Sequence, residues 1–196
     1  MPRTPRQRSE TGYYHVTLRG NGKQNLFETD KDRAAFMDAV RSSFICRDIS
    51  LIAWCLMDNH VHLVIDDPHD HISMALHRVT SSYATYFNHV FGHTGHVFEG
   101  RYGSVPIRDD EQLLAAVRYV HDNPLKGMGI SPDLYPWCSY PEYASGTSTY
   151  ADIDNLLDLL GGMSVKHVQR LTAIGEWAIR KAAGRIKARS SERDPR

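Results

Sequence analysis

The chain has 196 residues, 41% hydrophobic and 23% charged. That is close to globular averages, which excludes a collagen-like or coiled-coil chain and wholesale disorder, and leaves room for one main domain plus an appendage. Lys and Arg total 23, Asp and Glu total 23, and the formal net charge of zero provides no uniform field for a polyanion. Cys46, Cys55 and Cys138 form no CxxC pair and leave an odd thiol, arguing against a disulfide framework or a cysteine zinc site. No apolar run approaches a membrane span, and "MPRTPRQRSETG" at the start has no apolar stretch behind its arginines, so the expectation is a cytoplasmic protein.

The first element is "YYHVTLR" (13–19), β-branched and aromatic, a strand closed by the "GNG" turn. Ala34, Phe36, Met37, Val40 and Phe44 then recur at helical spacing, predicting a helix capped by Asp30 and running to about Arg47. "ISLIAWCLM" (49–57) and "HVHLVI" (60–65) read as two strands of a hairpin turning at Asp58-Asn59. A helical stripe of Met74, Leu76, Val79, Tyr83, Tyr86, Phe87 and Val90 spans 72–91. In "GHVFEGRYGSVPI" lies a fourth strand, whose Pro106 favours a strand end or sheet edge. Asp109 or Asp110 opens a further helix, which Pro124 should end.

The order β-α-β-β-α-β-α predicts an α+β fold: a ferredoxin-like βαββαβ sandwich with a mostly antiparallel sheet, helices on one face, and a helix after the fourth strand. Helical patterns return at "DIDNLLDLLGG" and "SVKHVQRLTAIGEWAIRKAAGRI". The expected organisation is a basic arm over 1–12, a main domain over 13–145, and a helical appendage with a basic tail over 146–196. Arg3, Arg6 and Arg8 in the arm, and Lys166, Arg170, Arg180, Lys181, Arg185, Lys187, Arg189 and Arg193 in the tail, suit either solvated termini or polyanion contacts.

Eleven histidines in 196 positions give about 0.6 H-x-H pairs by chance, so the spacing alone is weak. His69 and His71 lie in a polar loop, whereas His60 and His62 lie in a strand, where residues two apart share a face. Two imidazoles so placed can chelate a divalent cation or simply hydrogen-bond to neighbours. On the helix before Pro124, Leu113, Val117 and Val120 follow a core-facing pattern, while Ala115, Tyr119 and Asn123 form another row, which should put Tyr119 and Asn123 outward together. On these residues alone Tyr119 reads as a partly buried aromatic at the helix margin, and Asn123 as a helix C-cap before Pro124. Tyr83 and Tyr86, in an apolar stripe, read as core.

Four ordered blocks, "YYHVTLRGNGKQNLF", "AWCLMDNHVHLVI", "YATYFNHVFGHTGHVFEGRYGS" and "YVHDNPLKGM...YPWCSY", together resemble the HUH single-tyrosine transposases, most closely the REP-associated tyrosine transposases, over roughly 13–140. The resemblance implies the HUH endonuclease fold, a single-stranded or hairpin DNA partner, Mg²⁺ or Mn²⁺ as cofactor, and a nucleoid-associated monomer or homodimer. It makes His60 and His62 metal ligands and Tyr119 the nucleophile. Asn123 takes the position of a third ligand, one methylene shorter than the Gln of related enzymes. The implied chemistry is attack of the tyrosine on a phosphodiester near a palindromic hairpin, giving a 5′-phosphotyrosine and a free 3′-hydroxyl, followed by strand transfer without a nucleotide cofactor.

A single-stranded substrate would use Arg19, Asn21, Lys23, Arg101, Arg108 and Lys126 along phosphates, and Tyr102, with Tyr13, Tyr14 and Phe98, for base stacking. The "RGNG" turn suits a simple turn or close approach to a strand. Two rival readings are a domesticated relative that binds hairpin DNA or RNA without cutting it, and a small metallohydrolase using His60, His62 and His15.

Overall fold

The computed structural model describes residues 6–161. Along it lie strand β1 (Tyr13–Arg19), helix α1 (Asp30–Ile45), strands β2 (Ser50–Met57) and β3 (His60–Asp66), helix α2 (Ile72–Phe91), strand β4 (Gly103–Pro106), and helices α3 (Asp110–His121), α4 (Asn123–Met128), α5 (Tyr140–Ser145) and α6 (Ile153–Gly161). The sheet runs β2-β3-β1-β4 with every neighbour antiparallel. This is the α+β, ferredoxin-like order expected from the alternation of strand and helix periods. Predicted residues from 162 onward, including the basic tail, lie outside the described residues, as does Arg3.

β2 and β3 turn through Asp58-Asn59 as the sequence predicts. β2 ends the four-strand order, yet it is buried from Leu51 to Met57. Its outer edge is paired: Leu56 N donates to the Trp137 carbonyl, and Ser139 N to that of Trp54, each at 2.9 Å. That cover accounts for an "ISLIAWCLM" run apolar on both faces, since an unpaired edge would be open to association with other chains. β4 is short and ends on Pro106, which suits the other edge.

Register sets the two faces. Tyr13, His15, Thr17 and Arg19 of β1 stand opposite Asp66, Val64, His62 and His60 of β3, so all eight share one face. α3 packs on β2 and β3 at that face, where Tyr119 meets His62. α6 joins it through Asn155, which accepts from the Tyr13 hydroxyl and donates to Asp66, each at 3.0 Å. On the other face Val16, Leu18, Val61, Leu63 and Ile65 are buried, with α1 and α2 packed against each other as its cover. Helices therefore lie on both faces, not on one as the pattern suggested. The physical cause is that β2 and β3 carry apolar residues on both sides: Ala53, Cys55 and Val64 are buried on the histidine face too.

Local signals decide the helix ends. α1 is capped by Thr29, one residue before the predicted Asp30, because Thr29 and Asp32 form a reciprocal capping box. Asp109 caps α3 by accepting from Gln112 N at 2.8 Å. Leu113, Val117 and Val120 are buried, as their spacing predicts. Pro124 bends the chain without stopping it: α3 ends at His121, and Pro124 occupies the first turn of α4, where its missing N–H has no helical partner to lose.

Candidate active site

The face shared by β1 and β3 brings three imidazoles together. His60 and His62 have ring centroids 5.1 Å apart and nearly perpendicular planes, and His15 stacks on His62 at 5.2 Å. His15 Nε2 lies 3.0 Å from His62 Nδ1. At the hairpin tip, His60 Nδ1 lies 2.7 Å from the Asn59 side-chain oxygen. An amide oxygen can only accept, so a neutral His60 keeps its proton on Nδ1 and its lone pair on Nε2.

Tyr119, from the last turn of α3, completes the group. Its ring lies 5.4 Å from that of His62 and 5.6 Å from that of His15, edge-on to both, within one chain. It remains 43% exposed, so a substrate can reach it. Lys126, on α4, places its ammonium 5.0 Å from the Tyr119 ring centroid, and Asp122 sits 3.8 Å from the same ammonium. Lys126 follows Tyr119 by seven residues, two helical turns on, and so falls on the same side across the α3–α4 junction.

Asn123 departs from the outward row predicted for it. It is 7% exposed, and its side-chain amide donates to the Tyr119 carbonyl at 2.8 Å. The Tyr119 carbonyl belongs to the last turn of α3, where a helix leaves acceptors open, and the Asn123 side chain supplies it with a donor. Asn123 thus secures the turn that presents Tyr119.

Burial holds all three imidazoles below the usual histidine range. His62 is pushed down to about 3 by burial, with His15 and His60 adding to the effect. His15 is lowered by burial, and His60 by burial and the Arg19 charge, with Asp58 opposing. Neutral rings with available lone pairs are what a divalent cation requires. Among the described residues no three His, Cys, Asp or Glu side chains converge as a metal site. A cation here would rest on two imidazoles, with amide, water and substrate oxygens filling its shell, a mixed set that suits Mn²⁺ and allows Mg²⁺.

The other predicted contacts divide by place. Arg19, directly opposite His60, Asn21 and Lys23 are exposed at the near rim. The turn they belong to is tied to the hairpin tip, since Gly20 N donates to the Asn59 carbonyl at 2.9 Å. A Cβ on Gly20 would fall 2.1 Å from the Gln24 carbonyl oxygen, so the turn itself demands this glycine. Arg101 lies farther off, lining a groove with Arg6, Arg8 and Ser104. Arg108 precedes the far end of α3, roughly 16 Å along the helix from Tyr119.

The aromatics expected to stack bases are already engaged. Tyr14 is buried, and Tyr13 and Phe98 pack against the core. The Arg6 guanidinium covers the Tyr102 ring at 3.5 Å, and the Tyr102 hydroxyl pairs with Ser73 at 3.0 Å. Of the rival tyrosines, Tyr83 is buried and donates to the Leu26 carbonyl, and the Tyr86 hydroxyl donates to Asp32 at 2.8 Å.

From the sequence, His15 reads only as a third metal ligand. Its contact with His62 depends on the β1–β3 register, for which "YYHVTLR" carries no local signal beyond the strand period.

Among known proteins, the sequence signature described as "Transposase IS200 like" matches residues 8–123. No curated protein sequence matches the chain. A solved structure of a REP-associated tyrosine transposase bound to a REP hairpin superimposes with a TM-score of 0.62 at 18% identity, covering 76% of this chain and 90% of that one. A Deinococcus radiodurans R1 protein described as a transposase candidate gives a TM-score of 0.43 at 16% identity, covering 62% of this chain and 97% of that one. With the matched segment reaching from the N-terminal arm through the histidine pair to Asn123, the chain belongs to the IS200-like transposase family.

Proposed function

We propose that the chain is a single-stranded DNA transposase that cleaves and rejoins a strand beside a hairpin through Tyr119. The carrying observation is the placement of an exposed tyrosine against His62, which shares its sheet face with a neutral His60, within one chain. The likeness in fold to a transposase solved with a REP hairpin supports a hairpin partner. In this reading residues 13–145 form the catalytic unit, the arm over 1–12 is basic, and the appendage over 146–196 serves either as a DNA-contacting element or as a support layer. The tyrosine acts in cis.

His60 and His62 would hold Mg²⁺ or Mn²⁺; Asn123 donates its amide nitrogen to the Tyr119 carbonyl, which leaves its side-chain oxygen as the atom that would face the ion, directly or through a water. Such an ion, when bound, polarises the scissile phosphate and offsets its charge. The Tyr119 hydroxyl oxygen attacks phosphorus and loses its proton. A phosphotyrosyl ester forms to the 5′ side of the downstream nucleotide, and the bond to the upstream 3′ oxygen breaks, that oxygen leaving as a 3′-hydroxyl. Phosphodiester count is conserved, so a 3′-hydroxyl can reverse the step on the same or another strand. Lys126 beside the tyrosine ring and Arg19 beside His60 supply positive charge where the phosphate must sit.

Incubation with a hairpin-bearing single strand and Mn²⁺ should give a denaturant-resistant protein–DNA adduct. Chelation with EDTA should lower its yield at least about 100-fold, the range expected when a Lewis acid is removed from phosphoryl transfer. Equal yield in EDTA would contradict the metal role. Hairpin binding without adduct across a panel of hairpins would favour the non-cleaving reading instead.

A further inference from the structure

Two of the site's imidazoles have their second ring nitrogen committed in the same sense. His60 Nδ1 faces the Asn59 side-chain oxygen at 2.7 Å, which fixes the His60 proton on Nδ1. His62 Nδ1 faces His15 Nε2 at 3.0 Å. One proton lies between those two nitrogens, and its owner decides what His62 can do. Were His15 the donor, a neutral His62 would carry its own proton on Nε2 and offer no lone pair there. Were His15 the acceptor, His62 would carry its proton on Nδ1 and match His60, with Nε2 available.

We propose that His15 is a positioning residue for the His60–His62 cation site, accepting the Nδ1 proton of His62 and so holding that ring in the tautomer whose Nε2 can bind a divalent cation. The inference rests on His60 and His62 being the ligands. Three features favour it. The hydrogen bond is enclosed, with His62 only 6% exposed, so water does not compete for the same nitrogen. The two rings stack with planes 26° apart, which restricts rotation of His62 about its side-chain bonds. His15 is also set in the sheet: it shares the histidine face through the β1–β3 register and touches the Tyr119 ring edge-on, so one residue aligns both the ligand and the nucleophile helix. Partners that fix a ligand's tautomer in this way typically alter metal affinity 10–100-fold.

The test measures Mn²⁺ binding directly, by the magnetic-resonance signal of the free ion, on the full chain without DNA. His60→Ala should weaken Mn²⁺ binding well beyond the effect of any His15 variant, which checks the ligand assignment separately. His15→Leu keeps bulk but no acceptor and should weaken Mn²⁺ binding by about 10–100-fold. His15→Gln can place a carbonyl oxygen near the position of Nε2 and should recover affinity to within about three-fold. Leu binding as tightly as wild type, or Gln binding as weakly as Leu, overturns the proposal. A second reading needs no variant: the nitrogen-15 spectrum of the metal-free wild-type protein should show the His62 proton on Nδ1. A proton on Nε2 overturns the proposal whatever the variants do.

Discussion

Tyr119→Phe is expected to reduce strand cleavage and adduct formation by at least about 10³-fold while leaving hairpin affinity within about two-fold. The substitution removes one oxygen. The ring that packs edge-on against His62 and His15 stays, as does the face that Lys126 approaches, so neither the helix position nor the local charge changes. At 43% exposure, Tyr119 gives no reason to expect lost stability from removal of its hydroxyl. The matched controls are Tyr83→Phe and Tyr86→Phe. Burial, reinforced by Asp32, holds the Tyr83 phenol far above its ordinary range, and its hydroxyl is spent on the Leu26 carbonyl, so it cannot serve as the nucleophile. Both controls should cleave at near wild-type rates after correction for folded fraction, measured as the initial rate of nicking a labelled hairpin oligonucleotide.

His60→Ala carries the second large effect. Were the ion held as proposed, loss of one of the two imidazoles would remove half of its protein nitrogen ligands, and cleavage at a fixed low Mn²⁺ concentration should fall by about 10²–10⁴-fold. Because the remaining site still binds weakly, the variant's rate should keep rising through Mn²⁺ concentrations that saturate the wild type, by mass action. DNA affinity should change little, since Arg19, Lys23 and Lys126 remain. His60 is preferred over His62 because it is the more exposed of the two and sits at the hairpin tip, whereas His62 is buried between His15 and Tyr119. Truncating His62 would open a cavity and mix lost stability with lost ligation. A thermal melt within a few degrees of wild type, together with the shifted Mn²⁺ dependence, separates a ligand defect from a folding defect.

The sequence was most legible where the signal is local. Period-2 alternation in "HVHLVI" put both histidines on one face, and the polar pair Asp58-Asn59 marked the turn between β2 and β3. The i, i+4, i+7 row of Leu113, Val117 and Val120 gave the buried side of α3. The structure departs from the sequence pattern where distant segments meet. Nothing in "ISLIAWCLM" says that residues 137–139 will pair with its outer edge, and only the need to bury both faces of β2 hinted that helices would cover the sheet on both sides. An unbroken helix up to Pro124 would put Asn123 on the outer row, but α3 ends at His121. The bend freed its side chain to fold back onto the Tyr119 carbonyl. The chain likewise gives no local sign that Arg6, nearly a hundred residues earlier, will cover the Tyr102 ring. His15 shows the same limit at the site itself, its role resting on a strand register that composition and periodicity leave open.

The most direct test of the account is to trap the covalent adduct on hairpin oligonucleotides labelled at one end or the other, then locate the modified residue by peptide mass spectrometry. Attack by Tyr119 with departure of a 3′-hydroxyl predicts that the 3′-labelled fragment stays with the protein, the 5′-labelled fragment is released, and the DNA is carried by the peptide containing Tyr119. Retention of the 5′ label, or attachment at any other residue, would contradict it.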